Sequence, residues 1–405
     1  MENKLRFLSL DIEGYPLFEN KLNFSLLTDS RVSKGHTESL TNLFGNNYTN
    51  NVTTIVGKNA TGKTAILKLT IGILSLLLNN RSIEETKLNE ILFDDSAVTF
   101  NVYLYGTDKF LYKDVITIAK SENSESNNLE IRTEKIYRKR ALVNESKKKS
   151  LDFSKAKLIM DRNNLSPEVA AVLAPDDSIF RTIIKINDYN IPSVVDNTIF
   201  TNTNLFVSNL GYVPSEILRY LDPSIEYLKI ERVDENNNRQ TFYRLKFKNK
   251  DEEITDRNFA TIEYYLSSGT AKGISLYTQI LNTLKNGGII FVDEIENHFN
   301  HAIARTFINY FKDPSININH AKLVFTTHYS EFLDDLDRND QIYITRRLDK
   351  ISLTRYSSTN MRNDVLRSDI FMSDSIPGTA PEYDAYLALK KSTIKNITDF
   401  SNREA

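Results

Sequence analysis

Apolar and polar residues alternate closely enough from Leu5 to Ile12 to predict an opening strand. Residues 28–50 are rich in Ser, Asn, Thr and Gly and read as a loop. Val52 to Val56 predicts a second strand, and Ala65 to Leu78 a helix. Within that helix Ile71 to Leu78 is apolar on most faces, which predicts burial between two layers; the stretch is far too short to span a bilayer. Val98, Phe100, Val102 and Leu104 share one strand face and, with Phe110 to Ile118, predict a hairpin around Gly106-Thr107-Asp108. Residues 120–155 are charged and rich in Ser and Asn, the composition of an exposed, partly mobile excursion. Residues 165–222 mix short helical and loop segments. Ile225 to Val233 and Thr241 to Phe247 predict a second strand pair around a turn at 234–238. Ile274, Tyr277, Leu281 and Leu284 form one helical stripe. Residues 341–356 predict one or two late strands, and Glu382 to Lys391 a short terminal helix. No repeat period is present.

Chemistry enters at the junction of the second strand and its helix. Gly57, Lys58, Asn59, Ala60, Thr61, Gly62, Lys63 and Thr64 fit the P-loop spacing G-x-x-x-x-G-K-[ST]. Glycines let the backbone turn its N–H groups inward on phosphates, the lysine reaches the outer phosphates, and the threonine hydroxyl can hold Mg²⁺. Further on, Ile289 to Val292 is a run of apolar residues, as in a strand buried on both faces, and it ends in Asp293 and Glu294. The first carboxylate is placed to hold Mg²⁺ and the second to take a proton from an attacking water. Lys322 to Thr327 predicts a strand that delivers His328 at its C-terminal end, where open α/β sheets bind ligands and a histidine can sense a terminal phosphate. Leu266, Ser267, Ser268, Gly269 and Thr270 precede a helix and read either as a plain cap or as a second phosphate corner.

Composition narrows the context. With 405 residues and 40% hydrophobic content the chain can build a substantial core. The absence of cysteine excludes disulfides, thiol catalysis and cysteine-bound zinc, and fits a reducing cytosol. Met1 to Arg6 lacks the apolar core of a signal peptide. A net charge of −2 requires no nucleic acid. Locally, Lys139, Arg140 and the run Lys147 to Lys149 read as a solvated face or as a nucleic-acid contact.

In order, the P-loop, the Leu266 segment, the Asp293-Glu294 strand and the strand-end histidine resemble ABC-type ATPases. The wordings Leu266 to Gly273, Asp293 to Asn297 and Thr326-Thr327-His328 resemble the OLD and RecF-like, SMC-related branch, AAA-family ATPases of bacterial phage defence (abortive infection). The resemblance covers residues 1–120 and about 220–375. It implies an α/β P-loop NTPase fold of ABC type, with a central, mostly parallel sheet, an added antiparallel layer and a helical insertion. The implied division is an N-terminal ATPase part at 1–119, the insertion at 120–222, a C-terminal ATPase part at 223–375 and a tail at 376–405. ATP and Mg²⁺ are the implied cofactors, with Thr64 and Asp293 as metal ligands and Glu294 and His328 as catalytic residues. The implied site is composite: P-loop, Asp293, Glu294 and His328 of one subunit face the signature residues Ser267, Ser268 and Gly269 of a second, in a homodimer or larger homo-oligomer.

Several departures stand against that pattern. Thr270 replaces the usual signature glutamine, and Gln240, in an asparagine-rich turn, is the only glutamine between P-loop and signature, so no Q-loop residue is identified. Relatives often carry a histidine where Asn300 stands; His298 and His301 flank it and receive no role. Glu296 reads as a second acidic helper or as a helix-start carboxylate. A P-loop-to-signature separation of about 200 residues disfavours transporter ATPases, and the lack of sustained heptads disfavours long-armed chromosomal ATPases. About 75 residues follow His328, too few for the Toprim nuclease of many OLD proteins, and Asp335 and Asp337 read as a surface charge cluster. The expected function is a cytoplasmic, nucleotide-gated dimeric switch controlling a separate nuclease or toxin in anti-phage defence. The alternative is a RecF-like DNA-binding ATPase of repair or replication.

Overall fold

The computed structural model describes residues 3–33, 37–92, 96–121, 128–167, 173–199, 211–235, 238–297, 300–359, 361, 365–379 and 383–401. The helix after the P-loop, Lys63–Leu78, lies between two sheets, and every residue from Leu69 to Leu78 is buried, as the continuous apolar run predicts. The first sheet has the order Tyr189–Asn190, Asn3–Glu13, Val98–Gly106, Phe110–Lys120, Leu129–Arg140, Lys157–Asp161, with Lys21–Ser25 beside Asn3–Glu13. It is antiparallel except at Tyr189–Asn190. The second has the order Val194–Asn197, Ile289–Val292, Lys322–Thr327, Val52–Val56, Ile342–Arg347, Ile351–Arg355, and only its last pair is antiparallel.

The parallel strands read as unbroken apolar runs because both their faces are covered. Ile289, Phe291 and Val324 pack in the same core as the P-loop helix. Ile290, Val292, Leu323 and Phe325 belong to the opposite core, with helices Ser268–Asn286 and His301–Lys312. A smaller antiparallel sheet, Gly211–Tyr212, Ile225–Glu235, Asn238–Phe247 and Glu253–Asp256, adds Leu228, Ile230 and Leu245 to that second core. The fold is α/β with a mostly parallel central sheet and an antiparallel layer. Among the described residues no helix is long and apolar enough to cross a membrane.

Four expectations are corrected. The described residues of 120–222 are not mainly helical, and 129–140 is no excursion: Leu129–Arg140 is a strand of the first sheet. Its alternation is broken because a bulge shifts the register between Thr117 and Ile118, so Leu129 and Ile131 point inward before it and Glu134 and Ile136 after it. The loop expected at 28–50 contains a hairpin, Leu40–Phe44 with Asn47–Asn50. Polar residues occupy its inner side because the buried Lys322 Nζ donates to Thr41 Oγ1 (2.7 Å), Thr49 Oγ1 (2.9 Å) and Asn51 Oδ1 (2.7 Å). Along Ser268–Asn286 the buried stripe passes through Ile280, and Leu281 is exposed. The terminal helix is longer than expected, Tyr383–Ser401.

The bulged strand also buries an acid pair. Asp114 is fully enclosed beside Glu134, which takes hydrogen bonds from Ser178 Oγ and the Ile179 N–H and faces Arg162. Burial, followed by the Glu134 charge, pushes the Asp114 carboxyl well above the usual carboxylate range, and neither Asp114 oxygen has a hydrogen-bond partner among the described residues, so Asp114 holds a proton. The folded chain holds a proton that the unfolded chain releases at lower pH. The associated stability is complete below the unfolded aspartate range and is lost as pH rises toward the raised folded value. D114N keeps the shape of the side chain and removes the titrating proton. Its Tm relative to wild type is expected to rise as pH increases above the unfolded aspartate range in thermal scans. A constant difference would place the proton elsewhere.

Candidate active site

Val52–Val56, Lys322–Thr327 and Ile289–Val292 are parallel neighbours, so their C-terminal ends share one edge of the sheet. The residues that follow them are Gly57, His328 and Asp293. Ala60 (φ +61°) and Gly62 (φ +91°) curl the loop through left-handed backbone. A Cβ on Gly57 would stand 2.1 Å from Thr345 Oγ1, and one on Gly62 2.6 Å from Ile351 Cδ1. At Gly57 the sheet backbone leaves no room for a side chain, and at Gly62 the left-handed backbone itself favours glycine. Gly62 also caps the helix without offering a side chain, which keeps the first helical N–H groups open to an anion.

Lys63 is buried, and its Nζ donates to the carbonyls of Gly57 (2.9 Å) and Lys58 (3.0 Å). It also lies 3.4 Å from His328 Nδ1. A lysine has only protons to offer, so Nδ1 accepts and the ring proton sits on Nε2, which donates to Glu294 Oε1 at 3.1 Å. Burial lowers the Lys63 pKa, and Asp293, Glu294 and Glu296 partly offset this. Next to it, Thr64 Oγ1 donates to Asp293 Oδ2 at 2.7 Å. A hydroxyl and a carboxylate are hard oxygen donors that suit Mg²⁺, which retains waters and takes further ligands from phosphates; Thr64 and Asp293 would hold it.

Thr326 clamps the acidic turn. Its hydroxyl donates to the other Asp293 oxygen and accepts the Glu294 N–H at 2.8 Å. Glu294 sits in left-handed backbone (φ +49°). That conformation costs about 1–2 kcal/mol for a residue with a Cβ, and the Thr326 bond helps to hold it. T326V keeps the shape and removes the hydroxyl, leaving a peptide N–H and a carboxylate oxygen unpaired. It is expected to lose about 1–3 kcal/mol in urea unfolding, whereas T326S should restore it.

A sequence profile of one family, described as "AAA domain, putative AbiEii toxin, Type IV TA system", matches residues 52–334. The chain belongs to this AAA-domain family. The match runs from the P-loop strand to just beyond His328 and so encloses Gly57 to Thr64, Asp293, Glu294, Thr326 and His328. Comparison with curated proteins gives no match. Among solved structures, the SMC head bound to the C-winged helix domain of ScpA aligns at 14% identity and a TM-score of 0.38, covering 86% of this chain and 96% of that one. The recombination mediator RecF with ATP aligns at 11% identity and a TM-score of 0.38, covering 87% and 100%. Similarity at this level adds nothing to the fold already described.

In this AAA-domain chain Ser267 of the signature is engaged within its own helix. Ser267 caps its own helix, accepting the Thr270 N–H at 3.0 Å and meeting Thr270 Oγ1 at 2.7 Å. Thr270, at the place of the usual glutamine, is buried and completes that cap. Asn300 caps helix His301–Lys312 through the Ile303 N–H (3.0 Å), and the His301 ring packs edge-on against Phe332 (4.1 Å), both structural roles. His298 lies outside the described residues. Gln240 sits in strand Asn238–Phe247. Asp335 and Asp337 pair with Arg305 (2.6 Å) and Lys312 (2.8 Å), in a turn rather than a helix. Two residues were not assigned from the sequence. Thr326 lay in a quoted motif without a role. Lys272, one turn into the signature helix, is half-buried; burial lowers its pKa, and Glu294, Asp293 and Glu296 partly offset that.

Proposed function

We propose that the chain binds and hydrolyses ATP with Mg²⁺, as a cytoplasmic, nucleotide-gated homodimeric switch that controls a separate nuclease or toxin in bacterial anti-phage defence. The observation that carries the reading is the continuous contact Lys63–His328–Glu294 beside the Thr64–Asp293 pair, all on the ligand edge of a parallel sheet. Lys63 leaves the loop carbonyls for the outer phosphates. Glu294 accepts a proton from water as the water oxygen bonds to the terminal phosphorus and the bond to the leaving ADP oxygen breaks. His328, between Lys63 and Glu294, contacts the transferred phosphoryl group. Mg²⁺ on Thr64 and Asp293 would neutralise charge on the phosphate oxygens.

Ser267, Ser268 and Gly269 contact the nucleotide of the opposite subunit in this reading. ATP gripped by both subunits favours closure, and loss of the terminal phosphate releases it. The toxin named in the family description supports a toxin-linked switch. The DNA alternative draws less support from its basic residues, because Lys139 Nζ is committed to Glu145, Lys149 O and Asp152 O, and Lys147 Nζ to Ser30 O. The test is steady-state ATP turnover with light scattering, with and without duplex DNA. Turnover with ATP-dependent dimer mass and no response to DNA supports the switch. Salt-sensitive stimulation by DNA favours the alternative, and absence of turnover in every condition refutes the ATPase reading.

A further inference from the structure

The P-loop strand Val52–Val56 has different chemistry on its two flanks. On one side lie Lys322–Thr327 and Ile289–Val292, whose ends bring His328, Asp293 and Glu294 to the terminal phosphate in the reading above. On the other lie Ile342–Arg347 and Ile351–Arg355. The nucleoside is at the opposite end of a triphosphate from its terminal phosphate, so in that reading the second flank is the one open to it. This flank touches the loop directly. Thr345 Oγ1 meets Thr61 Oγ1 at 2.7 Å, and the Ile351 side chain packs against Gly62. Ile351 also draws in a third segment: its N–H donates to Leu17 O at 2.8 Å, and its carbonyl accepts the Glu19 N–H at 3.0 Å. Two leucines are open to solvent here. Leu348, in the turn that joins the two strands, is 78% exposed, and Leu17 is 39% exposed. One exposed leucine is ordinary on a protein surface. These two are tied to the same residue beside the phosphate loop, Leu348 through the short turn and Leu17 through a backbone bond. Hairpin turns favour Gly, Asn and Asp, so the turn itself does not call for Leu348.

We propose that Leu348 and Leu17 form the nucleoside end of the site, covering the base of the nucleotide whose phosphates the P-loop holds. The proposal rests on the P-loop reading of the site. Aliphatic side chains meet the face of a ring and read no hydrogen bonds on its edge, so the subsite favours a purine over a pyrimidine through contact area. Both leucines lie away from the reacting phosphate and determine affinity and specificity, equally before and during hydrolysis.

Calorimetric titration of wild type, L348S, L17S and L348M with MgATP, MgCTP and magnesium tripolyphosphate decides it. Wild type is expected to bind MgATP at least about tenfold more tightly than tripolyphosphate, with MgCTP between them. L348S and L17S should each weaken MgATP about fivefold while tripolyphosphate stays within about twofold, and L348M should keep wild-type affinity. In turnover, L348S should raise KM for ATP and leave kcat unchanged. Undiminished MgATP affinity in L348S, or an equal loss of MgATP and tripolyphosphate, overturns the subsite. Wild type that holds tripolyphosphate as tightly as MgATP also overturns it and leaves the P-loop reading standing. Wild type that binds none of the three refutes the P-loop reading and the subsite with it.

Discussion

K63A is expected to abolish MgATP binding, weakening it by at least about 100-fold. Two charge-assisted contacts to phosphate oxygens are worth about 1.5–3 kcal/mol each, and every 1.4 kcal/mol is a factor of ten. The variant also removes the buried cation that offsets Asp293, Glu294 and Glu296, so a triphosphate would meet three carboxylates with less compensation. Titration with a fluorescent ATP analogue measures the effect. A thermal scan without nucleotide separates it from unfolding, because among the described residues the lost bonds from Lys63 run to two loop carbonyls and His328. Affinity within threefold of wild type would mean that the loop does not hold phosphate.

E294Q is expected to bind MgATP as tightly as wild type and to lose about 10²–10⁴ in turnover, the usual contribution of a positioned general base. An amide oxygen can still accept the His328 Nε2–H that now reaches Glu294 Oε1 at 3.1 Å, so the surrounding geometry survives while basicity disappears. Unable to complete hydrolysis, the variant should accumulate as a closed, ATP-dependent dimer in light scattering. Normal turnover would refute the base assignment, and turnover lost together with binding would reduce Glu294 to a structural part.

Much of the site was legible because its chemistry sits in contiguous words. A strand feeding Gly57 to Thr64, an apolar run ending in Asp293 and Glu294, and a strand ending in His328 each show their ends in the local pattern. Parallel strands then bring those ends together without further information. What escaped depends on distant partners. Polar Thr41, Thr49 and Asn51 look like loop until Lys322 is placed among them. The bulge at Arg132 breaks the alternation of Leu129–Arg140, and Glu134 sits where an apolar residue is expected. Thr326 and Glu296 carry bonds between neighbouring strand ends some thirty residues apart, and no spacing rule reports them. Asn300 and His301 stood in a motif-rich stretch and proved to be a cap and a packing residue.

The order of strands in the second sheet bears on how the chain is made. Val52–Val56 lies between Lys322–Thr327 and Ile342–Arg347, so both of its neighbours are translated long after it. At about 5–20 residues per second, a ribosome needs roughly 13–50 s to travel from one to the other. For that interval a strand destined for full burial waits on a nascent polypeptide with neither edge paired. Premature stop codons before the histidine strand should therefore yield products that aggregate or are degraded, rather than fragments with residual nucleotide affinity.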